Sequence, residues 1–343
     1  DHLMTEFSFK AHLERQNIVI SWQRYGIEAL NFMALGLFSS LILGLIIKNL
    51  GAWLDLPWLV EIGKQAQSLM GAAIGAGVAY ALKAPPLVLF TSITTGFAGA
   101  AMGGPIGAFI AALIGAEFGK FVHRMTPLDI IVTPATTLII GMAVAGFISP
   151  AIDQLMISLG QLIMWAVDLS PIVMSIIVAI AMGLMLTLPI SSAAIAISLG
   201  LGGLAAGAAT VGCAAQMIGF AVMSYRDNGI GGAIACGLGT SMIQVPNILK
   251  NPKIWLPPTL AGAVLAPFAT AIFGMVNIPS GAGMGTSGFV GQIGTLDAMG
   301  ISPMTWLLII SFHVILPAIL TWIFAKLCDK KGWIKTGDLL LNK

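Results

Sequence analysis

The sequence predicts an all-α, polytopic membrane bundle of about ten transmembrane helices, with two re-entrant hairpins and an amphipathic linker helix. Three observations carry that expectation. Of the 343 residues, 57% are hydrophobic and only 9% charged, with a mean hydropathy of +0.96, whereas roughly a quarter of a soluble domain is charged. Apolar runs of span length follow one another with polar punctuation, the pattern of membrane helices. Finally, Pro279 to Gly294, PSGAGMGTSGFVGQIG, packs six glycines, two serines, a threonine and a glutamine between such runs. Irregular backbone at membrane depth persists only where protein buries it or it lines a wet cavity, so this stretch reads as a substrate-facing loop.

Several function classes are excluded early. No soluble catalytic domain fits beside the bundle, and the net charge of +2 comes from clustered Lys and Arg that speak to topology. Nucleic-acid binding is not expected. No Walker, HExxH, CxxC, GxSxG or metal-ligand spacing occurs, so no cofactor, metal, ATPase or hydrolase chemistry is expected. Cys213, Cys236 and Cys328 read as two small buried hydrophobes and a juxtamembrane thiol. The polar first residues predict no signal peptide, and Asp1-His2-Leu3 before Met4 reads as a cloning remnant.

In chain order, residues 4–27 mix aromatic and aliphatic side chains with Lys10, Arg15 and Arg24, which suits an interfacial helix. A first span is expected at about 28–47, then an interfacial belt of Trp53, Leu56, Pro57 and Trp58. The second span, about 66–82, is rich in small residues (Gly71, Ala72, Ala73, Gly75, Ala76, Gly77) that let helices approach closely. A third runs from Pro85-Pro86 to about 101, and Gly103-Gly104-Pro105 predicts a tight turn into a fourth, making a helical hairpin. The fifth, 126–148, is interrupted by Pro134, with Thr133, Thr136 and Thr137 able to satisfy freed carbonyls. Residues 151–169 alternate apolar and polar faces and suit a linker helix on the membrane surface.

A sixth span, 171–187, ends at the polar break Leu188-Pro189-Ile190-Ser191-Ser192. Small-residue helices lead to the charged turn Tyr225–Gly229, and a glycine-rich segment follows at 229–246. Spans at 255–276 and 303–325 bracket the loop at 279–294, and a basic tail closes the chain. The domain organisation is thus an interfacial segment 1–27, a transmembrane domain 28–325 and a basic cytoplasmic tail 326–343. Gathering Arg15, Arg24, Lys120, Arg124, Arg226, Lys250, Lys253 and the tail lysines on one side places both termini in the cytoplasm. It also requires a segment that enters and leaves on one side. An echo at an offset of 160, Gly71, Ala73, Ile74, Gly77 and Pro86 against Gly231, Ala233, Ile234, Gly237 and Pro246, hints at a two-part architecture.

Ionisable residues inside spans are costly and default to function. Glu117, Lys120, His123 and Arg124 read as local salt bridging. Asp129 reads as a first-turn cap or as a gate. Arg226-Asp227-Asn228 is either a loop-fixing turn or an anchor for a polar substrate where a broken helix starts. Thr240, Gln244 and Asn247 offer uncharged hydrogen-bonding groups, suited to a neutral polyhydroxylated substrate or to gluing helices together. His313 is either an interior hydrogen-bonded residue or a proton relay. Ser191, Ser192, Thr286, Ser287 and Gln292 supply hydroxyls, an amide and free backbone at the two breaks.

The runs TLPISSAAIAISLGLGGLAAGAATVGCAAQMIGFAVMSYRDNGIGG, GTSMIQVPNILKNPKIWLPPTLAGAVLAPF and IPSGAGMGTSGFVGQIG resemble the type 13 enzyme IIC family of the sugar phosphotransferase system, and its PfoR-like (perfringolysin O regulator-like) branch. The resemblance covers about residues 25–325. It implies a homodimer in the bacterial plasma membrane that holds a sugar-like solute between two hairpins and moves it by an elevator-type swing, without catalysis of its own. Phosphotransfer would then need separate cytoplasmic phosphotransferase components. One departure stands out: the better-known members carry a glutamate in the first hairpin, and LPISSAAI has no acid. The expected function is a permease for a small, neutral, polar solute. The alternatives are a non-transporting membrane sensor or regulator of the same fold, and an ion-coupled organic-acid carrier using Asp129, Arg226 or His313.

Overall fold

In the computed structural model, residues 2–341 are described, with side chains from Ser8 onward. Among them there is no strand, only an isolated bridge between Gly203 and Asn277. Six helices are long and apolar enough to cross a membrane, and two apolar helices are shorter. The chain forms two compact units, Asp1–Gln154 and Leu155–Lys343.

In the first unit, α1 (His2–Arg15) stops where Asn17 takes φ 56°. Its end is tied to the chain near 121–123: His12 Nε2 lies 2.7 Å from the Phe121 carbonyl, and Gln16 donates to the His123 carbonyl at 2.5 Å. The first span is longer than expected, α2 (Gln23–Trp53), with π turns at Gln23–Glu28 and Phe38–Ile42. Asp55 (φ 54°) turns the chain into α3 (Pro57–Ser68), which returns so close to α2 that a Cβ on Gly63 would lie 2.5 Å from the Gly44 carbonyl oxygen. A kink at Leu69 then starts α4 (Met70–Ala81), so the expected span 66–82 is divided between two helices.

The Gly-Gly-Pro turn holds. In α5 (Pro86–Val122), Gly103 (φ −152°, ψ 24°) and Gly104 (φ 62°, ψ −152°) leave helical geometry and the helix doubles back. Small residues let α4 and the first arm of α5 touch main chain to main chain, since a Cβ on Gly75 would lie 2.0 Å from the Ser92 carbonyl oxygen. At the end of the second arm Lys120 is 1% exposed. Its ammonium donates to the Leu82 carbonyl (2.6 Å), the Asn17 carbonyl (2.8 Å) and Glu117 Oε1 (2.8 Å), and Tyr25 donates to the other Glu117 oxygen. The expected salt bridging is therefore present, but within a buried knot where a lone charge would be costly.

The expected boundary between a fifth span and a surface linker is absent. One helix, α6 (Asp129–Val167), runs through Pro134 and Pro150 and carries the chain from the first unit into the second. Each proline removes one backbone hydrogen bond. Near Pro134, Thr137 donates to the Thr133 carbonyl at 2.9 Å, and near Pro150 a Cβ on Gly146 would meet nothing within 4 Å, leaving local room. A helix of 39 residues keeps enough remaining bonds to absorb both losses.

The second unit is built around α9. Before it come α7 (Pro171–Thr187) and α8 (Ser192–Ser198), separated by the predicted break. Helix α9 (Gly203–Met223) is buried almost throughout, with Val211, Cys213, Met217 and Phe220 fully enclosed. Its glycines admit neighbours at main-chain distance: Cβ atoms on Gly207 and Gly212 would each lie 2.1 Å from a carbonyl oxygen, of Met275 and Ala179. Then follow α10 (Tyr225–Ile234), a π turn Ala235–Gly239, a 3-10 turn Ser241–Gln244 and α11 (Val245–Lys250). The chain continues through α12 (Pro252–Ile272), α13 (Pro279–Ala282), α14 (Val290–Met299) and α15 (Pro303–Lys330). The last helix extends past residue 325, the expected end of its span. Both stretches of the internal echo are interrupted, 71–86 at Lys83 (φ 56°) and 231–246 at Thr240 (φ −153°, ψ 141°).

Candidate functional site

Three interrupted segments of the second unit meet. Pro189 and the extended Leu188 end α7, and Ser191 accepts from the Ala194 amide to start α8. Ser192 then donates to the Gly283 carbonyl at 2.7 Å, joining this break to the loop at 279–294. The same loop reaches the other glycine-rich segment: Thr286 donates to the Gly237 carbonyl and Ser287 to the Gly239 carbonyl (2.8 Å). Thr240 caps the following 3-10 turn by accepting from the Met242 amide at 3.1 Å. Thus Ser192, Thr286 and Ser287 tie the loop to two neighbouring segments through hydroxyl–carbonyl bonds. Gly288 (φ 52°) and Phe289 (φ 59°) are consecutive left-handed residues there, an outlier for an aromatic residue that this loop holds in place.

The residue that organises the loop lies just ahead of it. Buried Asn277 donates its two amide protons to Thr210 Oγ1 (2.7 Å) and the Gly291 carbonyl (3.0 Å), with Thr295 Oγ1 3.3 Å away, while its Oδ1 accepts from the Ile278 amide (2.8 Å). Gly281 and Gly294 press on this amide, with Cβ atoms that would lie 2.5 and 2.3 Å from Oδ1. A second buried amide, Gln216 on α9, accepts from Thr187 (3.0 Å) and Trp255 Nε1 (2.9 Å) and donates to Thr259 (2.8 Å). Thr187 also bonds Ser241 at 2.8 Å, linking the end of α7 to the 3-10 turn. Asn277, Gln216 and Thr187 were not expected from the sequence; an amide inside or beside an apolar run was the available signal for the first two.

Gln292 and His313 form a buried pair, with Nε2 to Nδ1 at 3.1 Å and exposures of 7% and 1%. His313 lies in the π turn Ile310–Ile315, a distortion frequent at functional sites. Gln292 Oε1 is buried with no hydrogen-bond partner, and such a group carries a desolvation cost that native structures seldom leave unexplained.

The other predicted site residues are elsewhere. Asp129, in the first unit, accepts from the Arg124 amide (2.5 Å) and the Thr133 hydroxyl (2.6 Å) and lies 3.3 Å from His123, the arrangement of a cap. Asp227, Asn228, Gln244 and Asn247 hold main-chain groups of the chain's last residues, and Arg226 pairs with Asp329 at 3.6 Å. Asp227, Asn228, Gln244 and Asn247 thus face tail main chain at hydrogen-bond distance, whereas Asp129 and Arg226 have partners of their own.

Membrane-length apolar helices in an all-α bundle, several of them interrupted, define a multi-pass membrane protein. The family model of the phosphotransferase system, EIIC, matches residues 27–341, and the chain belongs to that family. Membership makes it a membrane transport subunit of that system. No curated protein and no solved structure gives a significant match.

Proposed function

We propose that the protein is a permease for a small, neutral, sugar-like solute, bound where the interrupted segments of the second unit meet and carried by an elevator-type motion. In this reading it is a homodimer of the bacterial plasma membrane with cytoplasmic termini, and any phosphorylation of the solute comes from separate cytoplasmic subunits. The observation that carries it is the Gln292–His313 pair, whose amide oxygen is buried and unpartnered. Such an oxygen accepts from a solute hydroxyl. Ser192, Thr286 and Ser287 bond glycine carbonyls along the same loop and its neighbours, an uncharged hydroxyl chemistry that a polyol could take over by exchange. An organic-acid carrier fits less well, since Asp129 and Arg226 are already engaged.

The absence of an acid in LPISSAAI supports a second reading, a sensor or regulator that binds without transporting. A thermal-shift panel of sugars and polyols on the purified protein, followed by uptake into proteoliposomes, separates the two. The permease reading expects both a ligand-dependent shift and uptake. Gln292→Leu is expected to weaken binding roughly tenfold or more, because it removes the acceptor. Its ligand-free Tm should barely move, as one orphaned oxygen disappears and one ring nitrogen loses its partner. Binding without uptake would favour the sensor, and neither would refute both.

A further inference from the structure

After α15 the chain turns back on itself, and its main chain is read by a row of side chains from the two ends of the glycine-rich segment. Asp227 accepts from the Gly337 amide (3.0 Å) and the Leu339 amide (3.3 Å) with its two oxygens. Asn228 clasps the next residues from both sides, donating to the Leu339 carbonyl and accepting from the Leu341 amide, each at 2.8 Å. On the returning arm, Gln244 donates to the Leu339 carbonyl (3.1 Å) and Asn247 to the Leu340 carbonyl (3.1 Å). Asn247 is itself bonded to Gln244 at 2.8 Å. Beyond α11, Asn251 donates to the Trp333 carbonyl (2.9 Å) and to Asp338 (3.0 Å).

The held segment has a definite shape. Gly337 takes φ 95°, Asp338 accepts from the Lys335 amide at 2.8 Å, and Ile334 and Leu339 are 2% and 1% exposed. These two apolar side chains wall a cavity of about 430 Å³ whose other lining includes Arg226, Trp322, Lys326 and Asp329. The Trp333 ring lies under the Lys253 and Lys331 ammonium groups, 5.6 and 4.9 Å from its centroid. Most of these contacts are with amides and carbonyls, so the row recognises a backbone shape and two apolar side chains.

We propose that Asp227, Asn228, Gln244, Asn247 and Asn251 form a binding site for a turn-forming peptide, whose resident ligand is the chain's own segment 332–341. Bound there, the segment straps the outgoing arm (227–228) to the returning arm (244–251) of the stretch that presents the Gly237 and Gly239 carbonyls to Thr286 and Ser287. Release of the strap frees that stretch to open. The link to solute binding rests on the function proposed above; the docking and its hold on the two arms do not.

Hydrogen exchange on the full-length protein in detergent tests this. In the wild type the amides of Gly337, Leu339 and Leu341 should be protected. Asp227→Ala should speed exchange across 335–341 roughly tenfold or more, the factor expected from a lost charge-assisted hydrogen bond. Residues 229–241 should exchange faster as well, with α9 unchanged. Asp227→Asn, which retains one acceptor oxygen, should fall between. A synthetic peptide of residues 332–341 should bind a chain ending at Lys331 and not the full-length chain. The proposal is overturned by an unprotected wild-type tail, by an Asp227→Ala tail that exchanges as before, by a freed tail that leaves 229–241 unchanged, or by equal peptide binding to both chains. Should the shortened chain fail to fold, the full-length exchange decides. If no solute binds but the exchange pattern holds, the strap stands and the permease reading falls.

Discussion

Gly75 in the first unit and Gly285 in the second both face main chain closer than a Cβ tolerates, at 2.0 Å from the Ser92 carbonyl oxygen and 2.7 Å from the Cys213 carbonyl carbon. Gly75 lies inside a regular helix, and its lack of a side chain brings α4 and the first arm of α5 together. Gly285 has φ 55° and sits where helix has ceased, between α13 and α14. The first use of glycine makes a rigid contact out of helix geometry alone. The second leaves amides and carbonyls without helical partners, so side chains must hold the backbone: Asn277, Ser192, Thr286 and Ser287 do this. Rigidity in the loop at 279–294 therefore depends on individual polar side chains, and so can be altered one bond at a time.

Three substitutions sharpen or break that contrast. The largest effect is expected from Asn277→Ala, which removes three hydrogen bonds at once, two donated by the amide and one accepted. At about 1 kcal/mol each, with the cost of the buried partners left unpaired added, the loss is roughly 4 kcal/mol, read as a drop in the stability of purified protein; a change below about 1 kcal/mol would show that the loop holds itself. Next comes Gly75→Ala. Its methyl meets a carbonyl oxygen in a packed helix pair, an overpacking cost of about 3 kcal/mol with no effect on the exchange rates of residues 279–294. A matching loss of protection in that loop would contradict the separation of roles. The smallest is Gly231→Ala, at an exposed helical position where a Cβ meets nothing within 4 Å. It should stabilise by about 0.5 kcal/mol, measured by Tm; destabilisation would mean that α10 needs its glycine for motion.

These two uses of glycine were unequally legible. Gly103-Gly104-Pro105 and the 279–294 cluster announce themselves because turn chemistry is local, and Ser191 lies at a readable cap position. The small residues at 71–77 likewise signalled close packing, as Gly71 and Gly75 show. By contrast, the partners of Asp227, Asn228, Gln244 and Asn247 lie 93 to 113 residues away along the chain, and no local pattern encodes such pairing. Those side chains carry the same donors and acceptors whether a solute or a tail faces them. Asn277 escaped notice because it stands two residues before the proline that marks the loop. The continuity of α6 across Pro150 was hidden for a different reason, since a single proline weakens a long apolar helix without ending it.

Lys120 has a consequence that counting reveals. An ammonium carries three protons, and the structure gives it three acceptors, drawn from Asn17, Leu82 and Glu117. It is a joint of fixed valence, like the node of a triangulated frame: every strut is taken, and none is left over. Arginine would bring five donors to those three acceptors, and methionine would fill the space while stranding two carbonyls and a carboxylate. Three stretches of chain that are far apart in sequence are thereby held in one register by a single nitrogen atom.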